Sequence, residues 1–260
     1  MTRQEEIIAI ARKHGRVNVE ELASRFDVSP QTIRKDLNEL CDQRLLTRFH
    51  GGAIIASGVE NLAYEARRSL AEAEKRAIGD AAAALIPDSS SLFINIGTTT
   101  EEVARALRDH SDLMVITNNL HVATMLYPHP RMEVIVAGGP VRRGDGAVVG
   151  AHAFDLISQF KVDTAVIGVS AIDPDGTLLD FDLREVRVAK AIIANARKVL
   201  LVADRSKFER SAPARIGHLR DVDVFVTDSL PSDHWRDLCA REEVKVVEAL
   251  RGAATDGFDL

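Results

Sequence analysis

Cysteine, aromatic residues and long apolar runs are all scarce in this sequence of 260 residues. Its two cysteines, Cys41 and Cys239, are far apart and lack metal-ligand spacing, which favours two small buried side chains over a disulfide or a metal site. No segment approaches the roughly 18 consecutive apolar residues of a membrane-spanning helix, and the first residues lack the order of a secretory signal. We therefore expect a cytoplasmic globular protein without a metal or other cofactor.

A strong positive charge is also missing, because the formal net charge is −6. This balance argues against a protein that coats nucleic acid without sequence preference. It does not exclude a DNA reader with a local basic surface, since residues 1–58 carry nine Lys and Arg against eight Asp and Glu. The position of the basic residues must therefore decide the question.

Three short amphipathic patterns follow one another in the first 41 residues. The third begins at Ser29-Pro30, where serine is a good N-cap and proline suits the first helical position. Its apolar positions Ile33, Leu37 and Leu40 predict one buried face. The order of three short helices predicts a helix-turn-helix.

The outer face of the third predicted helix carries long hydrogen-bond donors. Gln31, Arg34, Lys35 and Asn38 fall at i, i+3, i+4 and i+7. A helix in the major groove needs such side chains, because Arg reads guanine and Gln or Asn reads adenine through paired hydrogen bonds. A solvated helix face is the alternative for this stripe alone.

Residues 45–55 predict two short strands around a glycine turn. This hairpin has the form of a wing, whose Arg48 and His50 would reach a phosphate or the minor groove near Gly51. The segment strengthens the DNA-binding interpretation of the preceding helix.

From residue 91 onward, short apolar runs alternate with helical patterns, which predicts an α/β domain with a mostly parallel sheet. The predicted strands are residues 92–96, 113–117, 133–137, 164–168, 199–203, 222–227 and 244–247. Polar and glycine clusters follow these strands. Because ligands of open α/β sheets bind outside the carboxyl ends of the strands, the clusters predict a pocket.

The sharpest cluster is Gly97-Thr98-Thr99-Thr100, between a predicted strand and a predicted helix. A glycine turn, free helical N–H groups and hydroxyls form a cradle for a phosphate or a carboxylate. A plain threonine-rich helix cap is the alternative. Lys207, after another strand, would neutralise the same anion unless it is a surface lysine.

Other polar residues complete the predicted pocket. They are Asn118, Gly138, Gly139, Arg142, Ser170 and Glu185. Arg142 belongs to a loop that would close over the pocket or remain solvated. Glu185 would accept hydroxyls of a polyol, or serve only as a carboxylate near a helix N-terminus.

Two motifs resemble the DeoR family of repressors: residues 28–40, VSPQTIRKDLNEL, and residues 48–53, RFHGGA. The resemblance places the family's DNA-reading helix and wing on these positions and adds Ser29 and Thr32 to the DNA-binding candidates. Lys35 stands where many members have arginine. In the second half, residues 92–99, 116–120, 157–160 and 172–176 continue the resemblance, with Asn95 where aspartate is usual.

The family resemblance implies a winged helix-turn-helix over residues 1–57, a helical linker over 58–90, a sensor similar to sugar-phosphate isomerases over 91–250, and a tail over 251–260. It also implies a repressor of operator DNA, dimeric or tetrameric, that a phosphorylated metabolite releases. The matching stretches favour glycerol 3-phosphate, with another sugar phosphate as the alternative. An active isomerase is disfavoured, since the first acid after residue 168 is Asp173.

Overall fold

The computed structural model describes residues 2–14, 16–43, 45–49, 51–55 and 64–249. The chain divides into two compact units, Met1–Leu70 and Ala71–Leu260. Within the described ranges, no helix has both the length and the apolar character that crossing a membrane requires.

The first unit is a winged helix-turn-helix, as predicted. Its elements are α1 (Arg3–His14), β1 (Arg16–Asn18), α2 (Val19–Phe26), α3 (Pro30–Asp42), β2 (Leu46–Phe49), β3 (Gly52–Ile55) and α4 (Tyr64–Ser69). The strands form an antiparallel sheet in the order β1-β3-β2. Its core contains Ile7, Leu22, Ile33, Leu37 and Leu40, so α1, α2 and α3 share one apolar centre.

Local chemistry determines where α3 begins. The Ser29 hydroxyl accepts the Thr32 N–H at 3.2 Å, and Pro30 occupies the first turn. Asp27 takes a left-handed conformation with φ 50°, which ends α2 and turns the chain. At the tip of the wing, Gly51 has φ 92° and its carbonyl accepts the Val19 N–H at 3.0 Å.

The second unit alternates strands and helices. In chain order it contains α5 (Glu72–Ala83), β4 (Ser91–Ile94), α6 (Thr98–Ala106), β5 (Leu113–Thr117), α7 (Leu120–Leu126), β6 (Met132–Val136), β7 (Val141–Arg142), β8 (Ala147–Val148), α8 (Ala151–Ile157), β9 (Val162–Ile167), β10 (Ala171–Ile172), β11 (Thr177–Asp180), α9 (Leu183–Ala194), β12 (Ala196–Val202), β13 (Ala214–His218), β14 (Val224–Thr227), α10 (Asp233–Arg241) and β15 (Lys245–Glu248).

A seven-stranded parallel sheet in the order β15-β14-β12-β9-β4-β5-β6 forms the centre of this unit. Its seven strands are those that the sequence predicts; β5 has the predicted ends, and the ends of the other strands differ by at most three residues. Leu92 and Ile94 pack on one face with α5, α6 and α7, whereas Phe93 packs on the other with α8, α9 and α10. The α/β fold class is therefore confirmed.

Two small sheets and one helix differ from the expectation. The sequence predicts neither the antiparallel sheet β10-β11-β13 nor the hairpin β7-β8. Helix α5 lies in the predicted linker of residues 58–90, but it belongs to the second unit and packs against α6. A Cβ on Gly79 of α5 would lie 2.6 Å from the backbone carbon of Glu102, so glycine permits this close approach. The predicted tail, residues 251–260, lies outside the described residues.

Candidate nucleic-acid face and anion site

The outward face of α3 carries the four predicted donors. Gln31, Arg34, Lys35 and Asn38 are all exposed, opposite the buried face of the helix. With neighbouring side chains they surround an open depression of about 680 Å³. The full lining is Arg3, Ser29, Gln31, Thr32, Arg34, Lys35, Asp36, Asn38 and Glu39. This surface therefore gathers long donors that no described element of the first unit covers.

Two further DNA-binding candidates support the start of α3. Besides accepting the Thr32 N–H, the Ser29 hydroxyl lies 2.9 Å from the Thr32 hydroxyl. By contrast, the one contact of Arg34 with another charged side chain among the described residues is an ion pair of 3.6 Å with Glu20, and both side chains are exposed. Such pairs hold a side chain weakly, so Arg34 is available to another anion.

The wing is described only in part. Arg48 lies in β2, but only its backbone is described, and His50 lies outside the described residues. Gly51 forms the turn between β2 and β3. The roles predicted for Arg48 and His50 therefore stay predictions.

The first turn of α1 makes contacts with α3 that sequence reasoning missed. Arg3 Nε donates to Asp36 Oδ2 at 2.6 Å and Arg3 Nη2 donates to Asp36 Oδ1 at 3.2 Å. Gln4 Nε2 donates to Glu39 Oε2 at 2.6 Å. Because the partners are more than 30 residues apart, no local pattern indicates these contacts.

In the second unit, the strand order reverses between β4 and β9. From β4 the chain proceeds to β5 and β6 on one side, whereas β9 leads to β12, β14 and β15 on the other. Ligands of open α/β sheets bind in the crevice at such a point, outside the carboxyl ends of the strands. The loops that open here are residues 95–97 and 168–170.

The turn after β4 is built around glycine and threonine. Gly97 has φ 150° and precedes α6, whose first residues Thr98, Thr99 and Thr100 are buried. The Thr100 hydroxyl approaches the carbonyls of Asn95 at 2.7 Å and Gly97 at 2.8 Å. The first N–H bond inside α6 is that of Glu101 to the Gly97 carbonyl, and Gly97 brings no capping side chain. The N-terminus of α6 therefore has the form that binds anions in other proteins.

The loop after β9 lies against this turn. A Cβ on Gly168 would lie 3.5 Å from the carbonyl oxygen of Ile96 and 3.5 Å from Thr100 Cγ2. Ser170, two residues later, is buried and its N–H donates to the Leu179 carbonyl at 3.0 Å. The structure thus brings two of the predicted polar clusters together.

Asn118 follows β5 and pairs with the hairpin. Its side chain donates to the Val148 carbonyl at 3.2 Å, and its own carbonyl accepts the Val148 N–H at 2.8 Å. Asn118 Oδ1 is buried and has no hydrogen-bond partner among the described residues. A buried acceptor without a donor is costly, so this oxygen suits the hydroxyl of a ligand or a water molecule.

Gly138 and Gly139 follow β6 and lead into the hairpin. Gly139 has φ 140°, and a Cβ there would lie 3.0 Å from the Val149 carbonyl oxygen. Ala147 and Val149 in turn pack with Ile96, next to the turn before α6. The hairpin therefore lies beside the anion-site candidate.

Positive charge is buried where β12 ends. Lys207 follows the strand in the 3₁₀ turn Arg205–Glu209 and is 9% exposed, and Lys75 of α5 is 2% exposed. Burial would raise the pKa of Asp204, but Lys207, the Ser206 hydroxyl and Lys75 outweigh it and lower that pKa. Sequence reasoning missed Lys75 because it lies in the segment interpreted as a linker.

Arg142 is surrounded by carboxylates rather than open to solvent. Its guanidinium donates to Asp145 at 2.8 and 2.6 Å, to Asp182 at 3.0 Å and to Glu185 at 2.7 Å. Arg184 adds a second cation to Asp182 at 2.7 Å. These contacts attach the hairpin β7-β8 to the start of α9.

The charges of this group influence one another. Burial and the negative charge of Asp180 raise the pKa of Glu185, although Arg142 opposes the shift. Hydrogen bonds from Arg184 and Arg142 lower the pKa of Asp182 to about 2. Two predicted pocket residues, Arg142 and Glu185, are therefore brought together, but each is already engaged with the other.

Family comparisons match both halves of the chain. The description "DeoR-like helix-turn-helix domain" matches residues 3–59, and "DeoR C terminal sensor domain" matches residues 70–229.

Individual proteins are similar over most of the chain. The glycerol-3-phosphate regulon repressor of Escherichia coli (strain K12) is 47% identical over 229 residues, which cover 88% of this chain and 91% of that protein. The HTH-type transcriptional repressor CsqR of the same organism is 42% identical over 245 residues, 94% of each chain. A solved D-ribose-5-phosphate isomerase in complex with phospho-erythronic acid shares 17% identity, with a TM-score of 0.40 over 53% of this chain and 54% of that one.

The carboxylate group around Arg142 generates a prediction about stability. The pKa of Glu185 is already raised, and in Arg142→Ala it loses the cation that opposes this shift, so its folded pKa rises further above the unfolded one. A group with a raised folded pKa does not destabilise the fold at low pH, where it is protonated in both states. It lowers the free energy of unfolding progressively as the pH rises above its unfolded pKa. We expect a loss of about 1–3 kcal/mol at pH 8, below that of a fully buried pair because Arg142 is partly exposed, and a smaller loss at pH 5.

Chemical denaturation of the full chain at both pH values measures this effect. The matched control is Arg184→Ala, which removes an exposed cation from the same Asp182 and should leave the denaturation midpoint nearly unchanged. An equal loss at pH 5 and pH 8, or none for Arg142→Ala, would contradict the charge argument.

Proposed function

The chain belongs to the DeoR family of transcriptional repressors, and from this premise we propose that α3 reads operator DNA and that glycerol 3-phosphate weakens operator binding. The ligand would occupy the crevice between β4 and β9. The observation that carries the effector part is that α6 begins at Gly97, which makes no side-chain cap bond, at the point where the strand order reverses.

The DNA part of the proposal rests on the outward face of α3. In helix-turn-helix proteins the second helix of the motif enters the major groove, and its exposed side chains contact base edges. Here that face presents Gln31, Arg34, Lys35 and Asn38, none of them covered within the described first unit. A solvated face without function would not require four long donors at helical spacing beside one depression.

The effector part rests on the chemistry of the crevice. The N–H groups at the start of α6 and the helix dipole favour a phosphate. Lys207 and Lys75 are buried at the same edge of the sheet, where their positive charge lowers the pKa of Asp204. Positive charge at this edge favours an anionic ligand.

Glycerol 3-phosphate is proposed because of the relatives and the polar groups. The Escherichia coli relative with 47% identity is named for the glycerol-3-phosphate regulon. Beside the crevice, Asn118 Oδ1 lacks a donor that a polyol hydroxyl would provide. Another sugar phosphate is the second candidate, since it offers the same phosphate and more hydroxyls. We do not propose an isomerase, because the relatives are named repressors.

We further propose that the chain acts as a homodimer or homotetramer. One α3 contacts few base pairs, and helix-turn-helix proteins commonly pair two units on half-sites one helical turn apart. The effector alters operator affinity only if it binds the DNA-competent and DNA-incompetent conformations with different affinities.

Arg34→Ala tests the assignment of the reading face. A bidentate hydrogen bond from arginine to guanine contributes about 1–3 kcal/mol of discrimination, so operator affinity should fall by about 5-fold to 150-fold for each guanine that Arg34 reads. The affinity for an unrelated duplex should fall much less. Equilibrium titration of both duplexes measures the two effects.

Arg25→Ala is the matched control, because it removes an exposed arginine at the end of α2 that does not line the depression. An equal loss of operator affinity in both variants would contradict the role of α3 in sequence reading.

Thr99→Ala tests the crevice. Glycerol 3-phosphate should release the wild-type protein from its operator, whereas glycerol, which lacks the phosphate, should not. Loss of one hydroxyl bond to a charged ligand, about 1.4 kcal/mol, should raise the half-releasing concentration about tenfold without changing operator affinity.

The control here is Thr124→Ala, which removes an exposed hydroxyl whose one hydrogen bond among the described residues is to the Leu120 carbonyl within α7. A panel of sugar phosphates in the same assay distinguishes the second candidate. If no phosphate ester releases the operator at saturation, the effector proposal is wrong.

A further inference from the structure

Arg3 lies at the start of α1 but faces the surface that α3 presents. Its guanidinium donates twice to Asp36, through Nε at 2.6 Å and Nη2 at 3.2 Å. Asp36 is 6% exposed, so the surrounding residues fix the position of its carboxylate. The orientation of the arginine is therefore determined by a paired contact rather than by solvent.

The rest of the guanidinium remains available. Arginine has five N–H donors, and Asp36 accepts two of them. No other hydrogen bond or ion pair of Arg3 occurs within the described ranges. Its side chain is 37% exposed and lines the same depression as Gln31, Arg34 and Lys35. An oriented cation with three unused donors thus faces the candidate reading surface.

The first turn of α1 also contacts two acidic side chains of α3. Asp36 and Glu39 lie among the donors of α3, where negative charge would repel DNA phosphates. Arg3 pairs with Asp36, and Gln4 donates to Glu39 at 2.6 Å. The Arg3–Asp36 ion pair therefore reduces the electrostatic repulsion of DNA by α3.

We propose that Arg3 binds an operator phosphate through its outer guanidinium edge while Asp36 holds it in position. The inference rests on the proposed function, because it requires that α3 docks on DNA. A phosphate contact carries no sequence information, so Arg3 fixes the register of docking and Arg34 contributes to base choice.

The experiment measures binding of the full chain to two labelled duplexes between 50 and 200 mM salt. One duplex is selected by the wild-type protein from a random pool, and the other is unrelated and of equal length. The slope of log affinity against log salt is negative, and removing one phosphate contact reduces its magnitude by about 0.9. Arg3→Ala should show this smaller slope magnitude, and its affinity for both duplexes should fall by a similar factor. Arg25→Ala, with the same change of charge outside the depression, should retain the wild-type slope.

A double variant separates DNA contact from structural support. If Arg3 only neutralises the buried Asp36, then Arg3→Ala with Asp36→Asn should recover the wild-type slope and affinity, which would overturn the inference. If Arg3 binds a phosphate, the double variant should keep the smaller slope magnitude of Arg3→Ala. Thermal unfolding of each variant identifies any loss of folding.

The outcomes also separate this inference from the proposed function. If the wild-type protein selects no duplex, the proposed function fails. If it selects one and Arg34→Ala loses the preference while Arg3→Ala keeps the wild-type slope, only the inference about Arg3 is overturned.

Discussion

The reversal of strand order between β4 and β9 is the constraint on which the sensor unit depends. It forces the loops after these two strands to diverge and leaves a crevice at the carboxyl edge of the sheet. Gly97 allows the sharp turn into α6, and Gly168 allows the neighbouring loop to approach it. Around this crevice the chain buries polar groups, including Asn118, whose Oδ1 has no hydrogen-bond partner among the described residues. The burial of this oxygen is understandable if a polar ligand or a water molecule completes the site.

In the first unit, the candidate DNA-binding surface is the exposed face of a single helix. Helix α3 has one apolar face in the core of the first unit and one exposed polar face that carries the donors. Asp36 and Glu39 of the same helix accept hydrogen bonds from Arg3 and Gln4 in the first turn of α1. The two proposed sites are thus built from separate sets of residues. Control of one by the other requires that the ligand distinguishes two conformations of the whole protein.

Local features of the sequence predict what depends on neighbouring residues. Ser29-Pro30 predicts the start of α3, and the apolar runs predict the seven strands, because helix capping and strand burial depend on residue types within a few neighbouring positions. The contacts of Arg142 with Asp182 and of Arg3 with Asp36 join residues 40 and 33 positions apart. Only the tertiary fold brings such partners together, so the sequence indicates neither the carboxylates around Arg142 nor the place of Arg3 beside α3. The two-residue strands of β7, β8 and β10 are too short to give a pattern.

Thermodynamic linkage gives the most direct test of the central claim. If the crevice controls operator binding, operator DNA must weaken the binding of glycerol 3-phosphate by the same factor by which glycerol 3-phosphate weakens the binding of operator DNA. Calorimetric titration of glycerol 3-phosphate into the full chain, with and without saturating operator, measures this factor. The account predicts an affinity at least about fivefold lower in the presence of operator. Equal affinities in the two titrations would contradict it.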